Sequence, residues 1–368
     1  MNVFFRTDAS ISIGTGHVMR CLSLAEELKI CGCNTVFISR VLPGHIINIL
    51  EDKNHKVVKL KAPACYAERS GERDDYSDWL GVDWEEDVEE TSEAIKSLGV
   101  NPDWLVVDHY GLDKMWECKM RDLVKFILVI DGPAKKHHDC DILLNQNYLP
   151  GIESTYEEKL PKNADLLLGP KYALLQKKFG NIRKQLQPKK NDIKRVLVFY
   201  GGIDHANETT KALQALEFSC ESDTYVDVII GENCPHKEKV EELVKQLRQA
   251  TLFVQVDNVA PLMQKANLSL GAGGTTTWER MCLGLPSIVT AVAENQSISM
   301  NHLKTTGAIL WLGETHTVSA YDISSSIKEL YEHPNQLEVM SKLGMKMVDG
   351  YGVPRVIDQM KSYSERYN

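Results

Sequence analysis

Two short stretches concentrate the residue types that chemistry on an anionic ligand requires. The first is Arg6-Thr7-Asp8-Ala9-Ser10-Ile11-Ser12-Ile13-Gly14-Thr15-Gly16-His17-Val18-Met19-Arg20. Gly14 and Gly16 let backbone come close to a ligand, and a helix starting near Gly16 offers free N–H groups to an anion. His17 falls in the first turn of that helix. The positive helix end keeps an imidazole neutral there, which suits a general base working near pH 7. A histidine that only caps the turn would look the same. The second stretch runs Leu268-Ser269-Leu270-Gly271-Ala272-Gly273-Gly274-Thr275-Thr276-Thr277-Trp278-Glu279-Arg280-Met281. Gly273, Gly274, Thr275 and Thr276 form a glycine turn leading into a helix, a pattern that receives phosphate. It lacks the Gly-Lys-Ser/Thr of a P-loop. Glu279, about one turn further on, is placed to accept hydrogen bonds from two ribose hydroxyls, although a surface pairing role is an alternative.

Other polar residues cluster where apolar runs end. Asp108, His109 and Tyr110 follow Trp104–Val107, and all three are expected to point at a ligand cleft. Gly201 and Gly202 follow Arg195–Tyr200 and are candidates for the other side of a diphosphate. Asn295 and Gln296 follow Ser287–Thr290 and offer amides. A dinucleotide fingerprint is not supported. Met19 stands where a third glycine belongs, and the second strand ends at Ser39-Arg40 without the acid that would hold a ribose. His137-His138-Asp139-Cys140-Asp141 invites a metal reading, but adjacent residues in a strand or turn point apart, and no metal or cofactor is expected. Acid pairs in Asp78–Asp87 suit glycosidase chemistry only weakly, since a run of carboxylates is usually a solvated helix face.

These residues need elements to hold them. Short β-branched runs alternate with helical patterns at Val3–Arg6, Thr35–Ser39, Lys56–Leu60, Trp104–Asp108, Phe126–Asp131 and Ile142–Leu144. The rhythm restarts at Arg195–Tyr200 and continues through Tyr225–Ile230, Thr251–Gln255, Leu268–Leu270, Ser287–Thr290 and Ile309–Leu312. This is the βαβ pattern of parallel sheets. The fold class is therefore α/β, with two Rossmann-like domains facing a cleft, the architecture of GT-B glycosyltransferases. The polar, proline-bearing stretch Gln185–Asp192 marks the linker. The expected domains are 1–187, 188–350 and a C-terminal helix 351–368 that could pack back on the first.

The chain has 368 residues, 43% hydrophobic and 25% charged, enough to bury full cores. Its net charge of −9 is confined to Ala62–Ser92, which holds eleven acids and two arginines; the remainder is balanced. That segment reads as an insertion without an assigned role, although its tryptophans, Trp79 and Trp84, argue that part of it packs. The balance argues against nucleic-acid or anionic-membrane binding. No apolar run is long enough to span a membrane and no signal peptide is evident, so a cytoplasmic location is expected. Nine scattered cysteines without a C-x-x-C fit reduced thiols.

The whole pattern resembles a known family. Arg6–Leu22, Val107-Asp108-His109-Tyr110, His138–Leu144, Gly169–Leu175 and the Gly273–Glu279 turn are similar to the PseG family, the nucleotide-sugar hydrolases of pseudaminic acid biosynthesis. Trp79–Trp84 resembles longer members. The resemblance implies hydrolysis of UDP-2,4-diacetamido-2,4,6-trideoxy-β-L-altropyranose to UDP and free sugar. Water would attack the anomeric carbon with inversion, without a metal. It matches His17 to the general base, Tyr110 and Asn295 to polar residues near the reacting sugar, and Gly274 and Glu279 to the UDP side. Asp8 or Asp108 would tune or orient His17, and Arg20 belongs to the same motif. The family also resembles the lipid II-forming N-acetylglucosaminyltransferase in fold. The chain departs from the family at Gly132, where members often carry an acid, and at Gln176, where many carry arginine. The expected partner is a UDP-sugar, with the protein a monomer. A glycosyltransferase using a UDP-sugar donor and a sugar or lipid acceptor is the alternative, and a non-catalytic nucleotide-sugar binder is a third reading.

Overall fold

A computed structural model describes residues 1–63, 76–189 and 192–367. The chain forms two units, Met1–Gln176 with Gly352–Asn368, and Lys177–Tyr351. Part of the acidic segment, Cys65 and part of the linker lie outside the described residues.

The first unit contains β1 (Asn2–Thr7), β2 (Asn34–Arg40), β3 (Lys56–Leu60), β4 (Trp104–Asp108), β5 (Phe126–Ile130), β6 (Ile142–Asn145) and β7 (Asp165–Leu168). All pair in parallel in the order β3-β2-β1-β4-β5-β6-β7. Strands buried on both faces are apolar throughout, as Phe-Ile-Leu-Val-Ile of β5 shows. The chain reverses its winding between β1 and β4, which pair Arg6 with Val107 and Thr7 with Asp108. The loops after those two strands are therefore neighbours, at the point where open α/β sheets bind ligands. One face is closed by the Gly16–Ile30 helix and by the C-terminal Gly352–Tyr367 helix, whose Val353, Val356, Ile357, Met360 and Tyr363 join the core with Trp104 and Phe126. Each such buried side chain contributes about 1.5–3 kcal/mol. The other face buries Trp116, Ile95 and Leu80.

The second unit contains β8 (Arg195–Phe199), β9 (Tyr225–Ile230), β10 (Ala250–Val254), β11 (Leu268–Ala272), β12 (Ser287–Ala291) and β13 (Leu310–Glu314). These are again parallel, in the order β10-β9-β8-β11-β12-β13. Its switch point lies between β8 and β11, which brings the loops after Phe199 and Ala272 together. The Lys177–Arg183 helix precedes the sequence-based boundary at 187 yet sits in this unit. Arg183 donates to the carbonyls of Cys282 (2.9 Å) and Met345 (2.5 Å), contacts that the local sequence does not announce.

The acidic segment is not the add-on that its composition suggests. The Trp84–Ser97 helix carries Asp87 into the first unit, where it is fully buried. Asp87 accepts from Arg6 Nε (3.1 Å) and Nη2 (2.5 Å), Arg40 Nη2 (2.8 Å), Trp116 Nε1 (3.0 Å) and Thr91 Oγ1 (3.3 Å). Burial alone would raise its pKa, but the two guanidiniums hold the carboxyl well below the usual range. Glu85, Glu86 and Glu89 take the solvated side of the same helix.

Candidate functional site

In the first unit the loop after β1 hands directly to the Gly16–Ile30 helix. The Ser10 side chain accepts from Ile13 N–H (3.0 Å), and Gly14 N–H donates to Ser10 O (2.8 Å). Gly14 closes this turn at φ +77°, a conformation that glycine adopts without strain. His17 then lies against the end of β4. Its Nδ1 is 2.6 Å from Asp108 Oδ1. A carboxylate can only accept, so Nδ1 is the donor of this pair, which selects the tautomer whose Nε2 carries the lone pair.

Asp108 is fully buried and saturated. Besides His17 it accepts from Arg20 Nε (2.7 Å), Arg20 Nη2 (2.5 Å) and the Cys21 thiol (3.3 Å). Burial pushes its pKa up, yet Arg20 and His17 hold the carboxyl well below the usual range. Asp108 is thus a fixed anion behind the imidazole. Arg20, 5% exposed, neutralises it and reaches the Tyr110 hydroxyl at 3.5 Å.

This arrangement corrects three readings of the sequence. Asp108 and His109 were expected to face a ligand, and Asp8 or Asp108 to tune or orient His17; Asp108 does meet His17, but it does not face a ligand. Asp108 is instead spent inside the fold. His109 turns inward: its Nδ1 accepts from Gly111 N–H (3.1 Å) and its Nε2 stands 3.5 Å from Asp8 Oδ2. Burial pushes His109 down to about 4, so the ring is neutral at pH 7. Asp8 accepts from Ser39 Oγ (3.3 Å) and Arg40 N–H (2.7 Å) and pairs with Arg6 Nη1 (2.7 Å). Its carboxylate serves the buried Arg6–Arg40–Asp87 cluster. A charged residue inside the apolar run Val-Phe-Phe-Arg is the one sequence signal of that cluster.

Tyr110 packs edge-on against His17, with centroids 4.5 Å apart and planes at 78°. Its hydroxyl fills the notch left by Gly132, where a Cβ would sit 2.1 Å from that oxygen. The Gly132 carbonyl is held by Asn145 Nδ2 (3.3 Å) and Asn147 Nδ2 (3.4 Å). The Gly132 departure therefore fixes where Tyr110 lies. A further aromatic residue, Trp79, completes the surroundings of His17. The polar residues of the His137–Asp141 stretch go to separate partners: His138 Nδ1 meets Glu117 (2.7 Å), and Asp139 and Asp141 pair with Arg121 (3.0 and 2.6 Å).

In the second unit the turn after β11 carries Gly273, Gly274, Thr275 and Thr276. A Cβ on Gly273 would meet Met300 Cγ at 2.6 Å, so packing as well as ligand approach demands glycine there. Gln296 Oε1 caps Val292 N–H (3.1 Å), which places its amide beside Gly274. Asn295 Oδ1 is buried and has no hydrogen-bond partner among the described residues. Glu279 is half-buried, and burial pushes its carboxyl up to about 7 against the pull of Lys178 and Arg280. Gly201 has φ +106° and Gly202 lies beside it in the loop after β8; a Cβ on either meets nothing within 4 Å among the described residues. The Gly202 carbonyl accepts from Gly231 N–H at 2.8 Å.

Comparison with known proteins agrees with this architecture. Residues 196–350 match the model of the glycosyltransferase family 28 C-terminal domain. An uncharacterised protein of Methanocaldococcus jannaschii is 25% identical over 298 residues, 78% of this chain. The chain spans only 55% of that protein's length. A UDP-2,4-diacetamido-2,4,6-trideoxy-β-L-altropyranose hydrolase of Campylobacter jejuni is 28% identical over 269 residues, covering 73% of this chain and 83% of the hydrolase. Among solved structures, MurG of Acinetobacter baumannii superposes with a TM-score of 0.65 at 14% identity, over 98% of this chain and 99% of that one. The fold is thus that of GT-B glycosyltransferases, with two Rossmann-like domains.

Proposed function

We propose that this chain hydrolyses a UDP-linked 2,4-diacetamido-2,4,6-trideoxy sugar, releasing UDP and the free sugar. The His17–Asp108 pair carries the reading. It leaves Nε2 as a base whose conjugate acid is stabilised by a buried carboxylate, the arrangement that general-base catalysis needs. The similarity to the Campylobacter hydrolase supports the substrate class, and the glycosyltransferase-type domain supports an enzyme acting on a nucleotide sugar.

In this reading water attacks the anomeric carbon while His17 Nε2 takes its proton. The bond from that carbon to the diphosphate oxygen breaks, its electron pair leaves with UDP, and the configuration inverts. Tyr110 and Asn295 contact the sugar. The Gly273–Thr276 turn holds the diphosphate through backbone N–H groups, and Glu279 accepts from the ribose hydroxyls. Gly14 and Gly16 let the first loop approach the sugar; Gly201, Gly202 and Gln296 line the nucleotide side. Asp108 and Arg20 act through His17, and Asp8 through the buried charge cluster.

The test is incubation of the protein with the UDP-sugar, following UDP and the anomer of the free sugar by NMR. Release of the inverted anomer, abolished in His17→Ala, is expected; near-normal turnover in that variant overturns the assignment. The match of residues 196–350 to a glycosyltransferase domain favours one second reading, transfer to a sugar or lipid acceptor. UDP release that appears only when an acceptor is supplied would establish it.

A further inference from the structure

We propose that Trp79 is the residue by which the first unit selects its sugar, forming an apolar wall beside His17 for deoxy and N-acyl substituents. The inference rests on the reading of His17 as the base of a sugar-cleaving reaction, and it gives the acidic segment a function.

Trp79 lies in a short 3-10 turn, Ser77–Leu80, far in sequence from Tyr110 and Asp108, which also contact His17. Its indole stands edge-on to the His17 imidazole, centroids 5.8 Å apart at 87°. It lies nearly parallel to Tyr110, at 5.7 Å and 23°, and edge-on to Tyr76, at 4.9 Å and 64°. Two aromatic rings, Trp79 and Tyr110, therefore flank the base, with Tyr76 packed against both of them, and Trp79 stays only half-buried. A large apolar ring left partly open beside a catalytic-type histidine is a contact surface for a ligand.

The wall is held firmly. Leu80, one residue on, is 1% exposed in the core, and Gly81 turns the chain at φ +72° into the Trp84–Ser97 helix. That helix is fixed by Asp87 between Arg6 and Arg40, and by Glu90, 2.5 Å from Arg40 Nη1. Burying this charge cluster is costly unless every member is paired. Here it pins the helix that follows directly on the turn carrying Trp79, which comes to His17 from outside the β1 and β4 loops. A solvated acidic decoration would need none of this.

An aromatic face offers no hydrogen bond to a hydroxyl. It favours a methyl or acetyl methyl and leaves a buried hydroxyl without a partner. Discrimination by one such group in an apolar pocket is about 10–200-fold.

The experiment compares kcat/KM for UDP release by the full chain from the 2,4-diacetamido-2,4,6-trideoxy substrate and from its counterpart hydroxylated at C6. In Trp79→Ala the preference should fall about 10-fold or more, through a raised KM for the deoxy substrate. Trp79→Phe should keep most of the preference, and Trp79→Leu, which keeps apolar volume, covers the case that the alanine variant does not fold. Saturation transfer from protein to the methyl protons of the free deoxy sugar should weaken in the same variants. A preference unchanged within about twofold, or an equal loss for both substrates, overturns the role of Trp79 while leaving the hydrolase reading intact. No UDP release from either substrate by the wild-type chain overturns both.

Discussion

Replacing Asp87 by asparagine keeps its volume and removes one charge from the centre of the first unit. Arg6 and Arg40, both fully buried, then lose their shared counter-ion; Arg6 keeps Asp8, and Arg40 keeps the partly exposed Glu90. The new amide also turns N–H groups toward one of the guanidiniums. Breaking a buried pair in this way costs about 3–5 kcal/mol, against a total stability of roughly 5–15 kcal/mol for a domain. With a urea m-value of about 2 kcal/mol/M, the midpoint for the first unit should fall by roughly 1.5–2.5 M. Urea unfolding of the full chain, with hydrogen exchange resolving β1 and β2 from β8 and β11, separates this loss from the second unit. The sign with pH is fixed by the depressed carboxyl of Asp87. Its contribution is fully present above the unfolded value of about 4 and is lost as pH falls through the lower folded value. The gap between wild type and Asp87→Asn should therefore be constant from neutral pH to about 5 and shrink below about 4. Glu85→Gln, an exposed acid on the same helix, should change stability by less than about 0.5 kcal/mol. If both variants lie within that range, the acidic helix is decoration and the buried charge cluster does not anchor it.

His17→Ala should abolish UDP release while UDP affinity, measured by calorimetry, stays within about twofold, because the nucleotide contacts are assigned to the other unit. Asp108→Asn should lower kcat by about 10²–10⁴, since the amide no longer fixes the Nδ1–H tautomer of His17; loss of less than threefold in a folded variant would remove Asp108 from the mechanism. Gly132→Ala places a methyl 2.1 Å from the Tyr110 hydroxyl and should displace that ring, reducing kcat/KM at little cost to UDP binding, as paired kinetics and calorimetry would read. With Glu279 raised to about 7 by burial, its carboxylate form grows as pH rises through that value. UDP affinity should therefore increase from pH 6 to 8 in the wild type and lose that dependence in Glu279→Gln.

Much of the molecule is legible before any coordinates. β-Branched runs mark twelve of the thirteen strands among the described residues, because a strand buried on both faces is largely apolar along its length. The strand Asp165–Leu168 escapes notice: it is four residues long, with no β-branched side chain. The glycine turns and His17 are also readable, since backbone approach to an anion restricts residue type locally. The ligand-facing readings of Asp108 and His109 and the help expected of Asp8 fail for one reason, whereas the contact of Asp108 with His17 is found. Asp8, Asp108 and His109 sit at strand ends, and sequence alone cannot say whether a polar side chain there faces solvent or a buried cation.

What the sequence by itself determined is local: the βαβ rhythm, the loop chemistry around Gly14–His17 and Gly273–Glu279, and a net charge confined to one segment. Tertiary structure alone decided the pairings across long separations. Arg6 meets Asp87 across 81 residues, and His17 meets Asp108 across 91. The switch between β1 and β4 creates the second contact, and the packing of the Trp84–Ser97 helix creates the first. A carboxylate reads as surface charge in any window of sequence. Only the position of the guanidiniums around it shows that Asp87 is core.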